Sequence, residues 1–346
     1  MDSKLGFSDS LGKGVVSTGK CAGCGACVAV CPNRCLRWVE GTPDLCEECK
    51  SCGSCARVCP QYGSSMSELE SFVFGRERTA REQFGIHRQV YAAKSSDSRV
   101  LKACQDGGAV TALLLHALEY KRIDGAIVSG VNSQKPFLPT PRLAITSDEI
   151  LSCAGTRYTC SPNLLALPEA AREGRKSVAF VGTPCQIQAV RKMQMLRMKL
   201  ASPLKLLIGL MCSECFSYEG LIKKHLGEDL GIDLKSIKSM NIKRKMIVTL
   251  KSGSVKMIPL AEVKKYALKS CALCRDFSSE MADLSAGGLG LEGWTCIVTR
   301  TLDGEGLFKS AEETGFLKTR PFEEDELAVN LLVRLSNRKH SLKAGL

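Results

Sequence analysis

Cys21, Cys24, Cys27 and Cys31, followed by Pro32, recur as Cys49, Cys52, Cys55 and Cys59, followed by Pro60. Each copy reads C-x2-C-x2-C-x3-C-P, the spacing that places three thiolates on one tight loop and sends a fourth to a neighbouring centre. Soft thiolates in this pattern suit 4Fe–4S cubanes and one-electron chemistry. The crossed arrangement assigns Cys21, Cys24, Cys27 and Cys59 to one cluster and Cys49, Cys52, Cys55 and Cys31 to the other. The fourth cysteine of each copy is expected to start a helix aimed at the opposite centre. Small neighbours (Ala22, Gly23, Gly25, Ala26, Gly53 and Ser54) let backbone N–H groups approach the sulfurs. A zinc site tolerates many spacings and has no use for both prolines. Cys35 and Cys46 lie outside the repeat and read as packing or outer thiols.

A second set is more dispersed. Cys185 stands in Gly182-Thr183-Pro184-Cys185-Gln186, where a helix N-terminus would favour its thiolate. Cys212 closes an apolar run, Cys215 follows three residues on, and Cys271 and Cys274 form a C-x2-C. Convergence of four would hold a third cubane; otherwise they are buried, inert cysteines. Cys104, Cys153, Cys160 and Cys296 lack such a setting and read as packing residues. Glycines at Gly107-Gly108 and Gly287–Gly290 could present backbone N–H groups to a cofactor phosphate or serve as turn glycines. No G-x-G-x-x-G follows a strand, so a standard dinucleotide fold is not indicated.

The elements that must position these residues fall into an ordered series. Residues 1–19 are polar and read as a loose lead-in. The cluster module follows, giving a first domain over 1–64, and 65–88 reads as a linker. From Val90 strands alternate with helices: strands at Val90–Ala93, Ala126–Ser129, Leu143–Ile145, Ser177–Val181 and Leu204–Met211, and helices from Gln105-Asp106-Gly107-Gly108 to Tyr120, at Leu164–Glu173, Ile187–Leu196 and Tyr218–Leu226. A meander is expected at Lys238–Lys243, Met246–Leu250 and Val255–Pro259, with a turn at Lys251-Ser252-Gly253. Thr295–Arg300 reads as a last strand and Glu323–Asn337 as a helix. The catalytic domain would then span 89–320 and a C-terminal helix 321–346. The fold class is α+β/α/β, a two-cluster module followed by an α/β domain.

The 346 residues carry a formal charge of +12, with 44% hydrophobic residues. Twelve thiolates and three cluster cores would bring that charge to roughly +6, enough to steer an acidic partner or substrate. No nucleic-acid motif appears. No apolar run reaches the ~18 residues of a membrane span, and residues 1–19 have no apolar leader core. Nineteen cysteines without a leader suggest metal clusters in a reducing, cytoplasmic setting.

Five stretches, in order, resemble one family: QDGGAVTALLLHALEYKRIDGAIV, AGTRYTCSP, VAFVGTPCQIQAVRKM, GLMCSECFSYEGL and CALCRDFSSEMADLSAGGLGLEGW. They are similar to the beta subunits of coenzyme F420-reducing hydrogenase, F420-dependent formate dehydrogenase and F420H2 dehydrogenase. The front module resembles bacterial two-cluster ferredoxins. The combination is similar to the F420H2-oxidising input subunit and to the front half of F420-dependent sulfite reductase; 7-hydroxymethyl chlorophyll reductase is a more distant likeness. The resemblance implies a flavoprotein domain with FAD, a third 4Fe–4S cluster and a deazaflavin pocket, in archaeal-type energy metabolism. It points to Cys185, Cys212, Cys271 and Cys274 as ligands, with Cys215 in reserve. It differs in one respect: an acidic residue of the family is Gly288 here, so that carboxylate's flavin role is not filled at this position.

The function implied is hydride transfer between F420 and FAD, with single electrons moving through the clusters to or from a partner. No side-chain acid or base is required. Candidates for the FAD shell are Gly107, Gly108, Gly155, Thr156, Tyr158, Gly182 and Thr183. Lys243, Arg244 and Lys245 would meet the phosphate and glutamate tail of F420, or form a solvated strand face. A same-fold flavin oxidoreductase using NAD(P)H or ferredoxin, and a flavin-free electron-relay subunit, are the competing readings. The partner would be a redox subunit, a ferredoxin or a complex peripheral to a membrane.

Overall fold

The computed structural model describes residues 5–63 and 65–342; the first four residues of the expected lead-in and the last four of the expected C-terminal region lie outside them. In the front module β1 (Leu36–Val39) and β2 (Thr42–Leu45) form an antiparallel pair. They lie between two short helices, Ala26–Ala29 and Ser54–Val58. Each helix is entered through a glycine with positive φ, Gly25 and Gly53, so the cysteine loop turns directly into it. The fourth cysteine of each copy closes a helix rather than starting one: Cys31 follows the first and Cys59 caps the second. The described part of the lead-in is not loose. Ser8–Val16 is helical and buries Leu11 and Val15, with Phe7 also buried. It has apolar surface to cover, because the module's small core is otherwise largely cysteine.

The stretch expected as a linker is packed structure. Met66–Phe74 is a helix capped by Ser65, whose hydroxyl accepts from Glu68 N–H, and it buries Leu69 and Glu70. Arg78 then pairs with Glu70 and with the fully buried Glu280 of the main body. Arg78 and Arg88 are ion-paired with Glu280 and Glu305 of the body, whereas a composition reading scores such residues as solvated.

The main body is an eight-stranded mixed sheet built from β3 (Gln89–Ser95), β4 (Gly125–Val131), β5 (Pro139–Ala144), β6 (Val178–Gly182), β7 (Leu204–Leu210), β11 (Leu284–Gly287), β12 (Thr295–Thr299) and β13 (Leu317–Pro321). Its order is β13-β3-β12-β11-β7-β6-β4-β5. The four central strands run parallel and the outer pairings are antiparallel. The centre is covered on both faces, which is why β6 is buried at every position. One face packs on helices Ala109–Glu119 and Leu302–Glu313 through Leu113, Leu114 and Phe308. The other packs on Pro184–Met195 through Ile187, Val190 and Met193. Cys24, Ala26 and Val58 of the front module belong to that same apolar cluster, so module and body share one core.

The meander exists as expected: β8 (Ile237–Lys243), β9 (Lys245–Leu250) and β10 (Val255–Pro259) form a separate antiparallel sheet, with a core of its own around Leu221, Ile222 and Val248. The helix before it runs Tyr218–Asp229, three residues longer than the periodicity suggested, in wide i→i+5 turns. The final helix is Glu326–His340 and buries Ala328, Leu332, Ser336 and Lys339. Among the described residues no helix is long and apolar enough to cross a membrane.

Candidate redox centres and cofactor cleft

Two cavities open in the front module. One is lined by Cys21, Cys24, Cys27 and Cys59, with Leu11, Val15 and Val16 of the first helix. The other is lined by Cys31, Cys49, Cys52 and Cys55, with Cys35 and Phe7. Each cavity thus takes three cysteines from one copy of the repeat and the fourth from the other. Cys24 and Cys27 are buried among Cys21, Cys59 and Cys55, and burial pushes both thiols well above their usual range. Cys59 is raised by burial to about 11. In the outer cavity Cys52 goes the other way, lowered by hydrogen bonds from Ser54. Cys35 lies with Sγ 3.3 Å from Cys31 Sγ, while Cys46 is exposed.

The dispersed cysteines converge at the carboxyl ends of adjacent parallel strands, where α/β sheets place their sites. Gly182 ends β6, and Cys185 follows in the first turn of Pro184–Met195. Cys212 follows β7. Three loop segments are tied together by backbone bonds: Phe216 N–H to Tyr158 O at 3.1 Å, Cys160 N–H to Phe216 O at 3.2 Å, and Leu268 N–H to Cys215 O at 2.9 Å. These bonds bring Cys160, Cys215 and Cys271 to the same place. Cys185 is surrounded by Cys274, Cys212 and Cys271. Cys215 Sγ is 3.9 Å from Cys212 Sγ, and the Cys215 N–H donates to Cys271 Sγ at 3.3 Å. Burial raises Cys271 and Cys274 to about 11.

Among the described residues no three His, Cys, Asp or Glu side chains close around a single ion. Sets of four soft thiolates suit an iron–sulfur cubane. Thiols so buried become thiolates only against a cationic core. Residues and cavities therefore fit the clusters that the repeat implies.

Cys160 has more than a packing position. Its Sγ lies 3.3 Å from Gly23 O and 3.6 Å from Ala22 O, on the cysteine loop of the front module, and faces Cys185 and Cys21. Gly23 has φ +67, and a Cβ there would stand 2.5 Å from Cys160 Sγ. No local pattern announces this contact, since Cys160 has no motif around it.

A separate junction forms where the loop after Ala103 meets the meander. Tyr158 Oη donates to Gln105 Oε1 at 3.0 Å and accepts from Ile242 N–H at 3.1 Å; Gln105 Nε2 donates to Asn241 Oδ1 at 2.9 Å. Gly108 caps helix Ala109–Glu119 in the left-handed region, with no side chain on the helix's first N–H groups. Gly107 packs so closely that a Cβ would stand 2.5 Å from Ala93 O. Gly155 comes against Ala103 O, and Thr156 beside it is exposed. Gly107, Gly108, Gly155, Thr156 and Tyr158 are thus neighbours. Gly182 and Thr183 lie instead with the dispersed cysteines: Thr183 Oγ1 is 3.2 Å from Cys185 Sγ, and Gly182 is buried against Phe180 and Gln186.

Asp106 lies at this junction, a position that no motif announces. A Cβ on residue 288 would stand 2.4 Å from Asp106 Oδ2, so this carboxylate occupies the space that a side chain at Gly288 would need. Burial raises its pKa, opposed by Lys243. Lys243, Arg244 and Lys245 are all exposed at the β8–β9 turn. Lys243 pairs directly across from Lys245, with Arg244 at φ +48 between them.

Fold and cysteine pattern together define an iron–sulfur protein with a ferredoxin-like front region on a mixed α/β body. Residues 15–37 match the 4Fe-4S binding domain. Residues 90–168 match the N-terminal model, and 175–325 the C-terminal model, of the coenzyme F420 hydrogenase/dehydrogenase beta subunit. The chain belongs to the family of coenzyme F420 hydrogenase/dehydrogenase beta subunits. It is 36% identical over 260 residues to the coenzyme F420 hydrogenase beta subunit of Methanothermobacter thermautotrophicus, covering 74% of this chain and 92% of that one. It is 29% identical over 296 residues to a subunit of the F420H2 dehydrogenase of Methanosarcina mazei, covering 85% and 83%. A chain of the xenon-derivatised F420-reducing NiFe hydrogenase complex of Methanosarcina barkeri superposes with a TM-score of 0.72 at 36% identity, covering 75% of this chain and 91% of that one.

Proposed function

We propose that this chain transfers a hydride between coenzyme F420 and a bound FAD, and passes single electrons along three 4Fe–4S clusters to or from a partner subunit or a ferredoxin. Deazaflavins exchange two electrons and clusters one, and a flavin supplies the chemistry that joins the two. The observation that carries the reading is the sorting of the cysteines: two crossed sets of four line two cavities, and a third set meets at the ends of β6 and β7.

In this reading Cys21, Cys24, Cys27 and Cys59 hold the inner front cluster, and Cys31, Cys49, Cys52 and Cys55 the outer one. Cys185, Cys212, Cys271 and Cys274 hold the third, with Cys215 in reserve. Cys24 faces Cys185, and Cys27 faces Cys55, so the sets follow in the order third, inner, outer. The outer set, beside the exposed Cys46, Glu47, Glu48 and Lys50, is the exit toward the partner. Gly107, Gly108, Gly155, Thr156 and Tyr158 form the FAD shell, and Gly182 and Thr183 border it on the side of the third set. The uncapped N–H groups at Ala109 favour a phosphate. Lys243, Arg244 and Lys245 receive the anionic tail of F420. Two like charges held opposite each other across a turn repel, and an anion between them relieves that repulsion. Residues 1–64 act as the cluster module and 89–320 as the catalytic unit.

Anaerobic chemical analysis tests the assignment. About twelve iron and twelve sulfide per chain, from three cubanes, and one non-covalent FAD are expected. About eight iron removes the third cluster. Fully iron-loaded protein without flavin, or with FMN, leaves an electron relay or a different flavin site in place of the proposed one.

A further inference from the structure

Among the described residues, two lysines are buried: Lys192, with 5% of its surface exposed, and Lys339, with 8%. Burying an ammonium is costly, so each must be held by something specific. Lys192 reaches from helix Pro184–Met195 into the front module, where Nζ donates to Cys59 O at 2.7 Å and Tyr62 O at 2.9 Å. Lys339 reaches from helix Glu326–His340 under the third set, where Nζ donates to Cys271 O at 2.8 Å and lies near Cys212 and Cys274. The two helices are far apart in the chain and arrive from different sides. Both put an ammonium on the backbone carbonyl of a cysteine within a candidate cluster set. The outer set has no buried lysine among the described residues; Lys50 and Arg57 beside it are exposed.

We propose that Lys192 and Lys339 are redox-tuning residues, each raising the reduction potential of one inner cluster relative to the outer one. The proposal rests on the cluster reading under Proposed function. A cubane on four thiolates carries a net charge of about −2 when oxidised and −3 when reduced by one electron. A fixed cation bonded to the backbone of a ligand cysteine would stabilise the second state more than the first. Low-dielectric surroundings keep that difference from being screened. Other charges face the same sites and act in both redox states: Glu68 near Lys192, and Asp276 near Cys212 and Cys274. They trim the effect without supplying a cation.

The test is an EPR-monitored dithionite titration of the anaerobic full-length protein and of Lys192→Gln, Lys339→Gln, Lys192→Arg and Lys339→Arg, with iron assayed in each. Lys192→Gln should make reduction of the inner front cluster about tenfold harder, about 59 mV for one electron, leaving the other two signals in place. Lys339→Gln should do the same to the third cluster alone. The arginine variants should stay close to the parent. Glutamine variants that keep their iron with unmoved potentials, or that lose the cluster outright, make the lysines structural braces and overturn the proposal. A parent protein lacking the clusters would instead remove the reading beneath it, and the iron assay separates the two outcomes.

Discussion

Gly23 and Cys160 show how one missing Cβ joins two centres. A side chain at residue 23 would overlap the Cys160 sulfur, and φ +67 adds a left-handed strain of about 1–2 kcal/mol to any other residue. Gly23→Ala should therefore loosen the inner front cluster against the body, seen as faster anaerobic iron loss to a chelator. Cys160→Ala should recover part of that loss and leave the strain. A double variant no better than Gly23→Ala would mean that the thiol contact is not the obstacle. At Gly288 charge decides. Gly288→Asp would set a second carboxylate against Asp106 in a desolvated place, so flavin retention should fall, as read by the FAD-to-iron ratio after gel filtration. An unchanged ratio would place the flavin elsewhere. Cys185→Ser should cost one cluster of three and spare the front pair; loss of the front pair's EPR signals with the third intact would contradict the assignment.

At the scale of elements, the β8–β9 turn is the exposed feature with the clearest consequence. In the proposed reading its three cations bind a substrate tail and not the reacting ring, so they would stabilise ground and transition states alike. Replacing Lys243, Arg244 and Lys245 together by alanine should raise KM for reduced F420 and leave kcat nearly unchanged. Each exposed charge is worth up to about 1 kcal/mol at low ionic strength, and the effect should shrink in high salt. A parent-like KM with unchanged salt response would make the turn a solvated edge. The meander was legible because alternation and a Lys-Ser-Gly turn both report on it locally. β11 was not. Its Leu284-Ser285-Ala286-Gly287 run has little β-forming character, and it is a strand because β7 and β12 hydrogen-bond it from both sides. The Ser8–Val16 helix escaped for a related reason: its few apolar residues cover cysteines, which no hydrophobic periodicity announces.

Taken whole, the molecule reads best where chemistry demands spacing and least where packing decides. The two four-cysteine copies are a local pattern, and each front-module cavity is lined by cysteines from both copies. The dispersed cysteines converge because β6 and β7 are neighbours in the sheet and the loops carrying Cys160, Cys215 and Cys271 are hydrogen-bonded to one another, neither of which is written in any short stretch. The supposed linker is the clearest miss: Arg78 is polar in the sequence and sits between two carboxylates in the fold. Cys27, Cys35, Cys55 and Cys59 make up much of the front module's buried apolar surface, so in the proposed reading the module depends on its clusters for a core. Removing iron with a chelator should open residues 5–63 to protease well before the sheet, because a module this small lacks the apolar area to stay folded alone. Simultaneous digestion of both parts would show that the shared core with Phe180 and Ile187 suffices to hold it.

In the proposed reaction electrons enter as a hydride from reduced F420 and leave singly through the clusters. Rapid anaerobic mixing of the cofactor-loaded protein with reduced F420, and separately with NADPH, tests this most directly. Reduced F420 should bleach flavin and cluster absorption within the mixing series, with NADPH producing no change. Bleaching by NADPH alone, or no bleaching by reduced F420 in protein carrying its full iron and flavin, would contradict it.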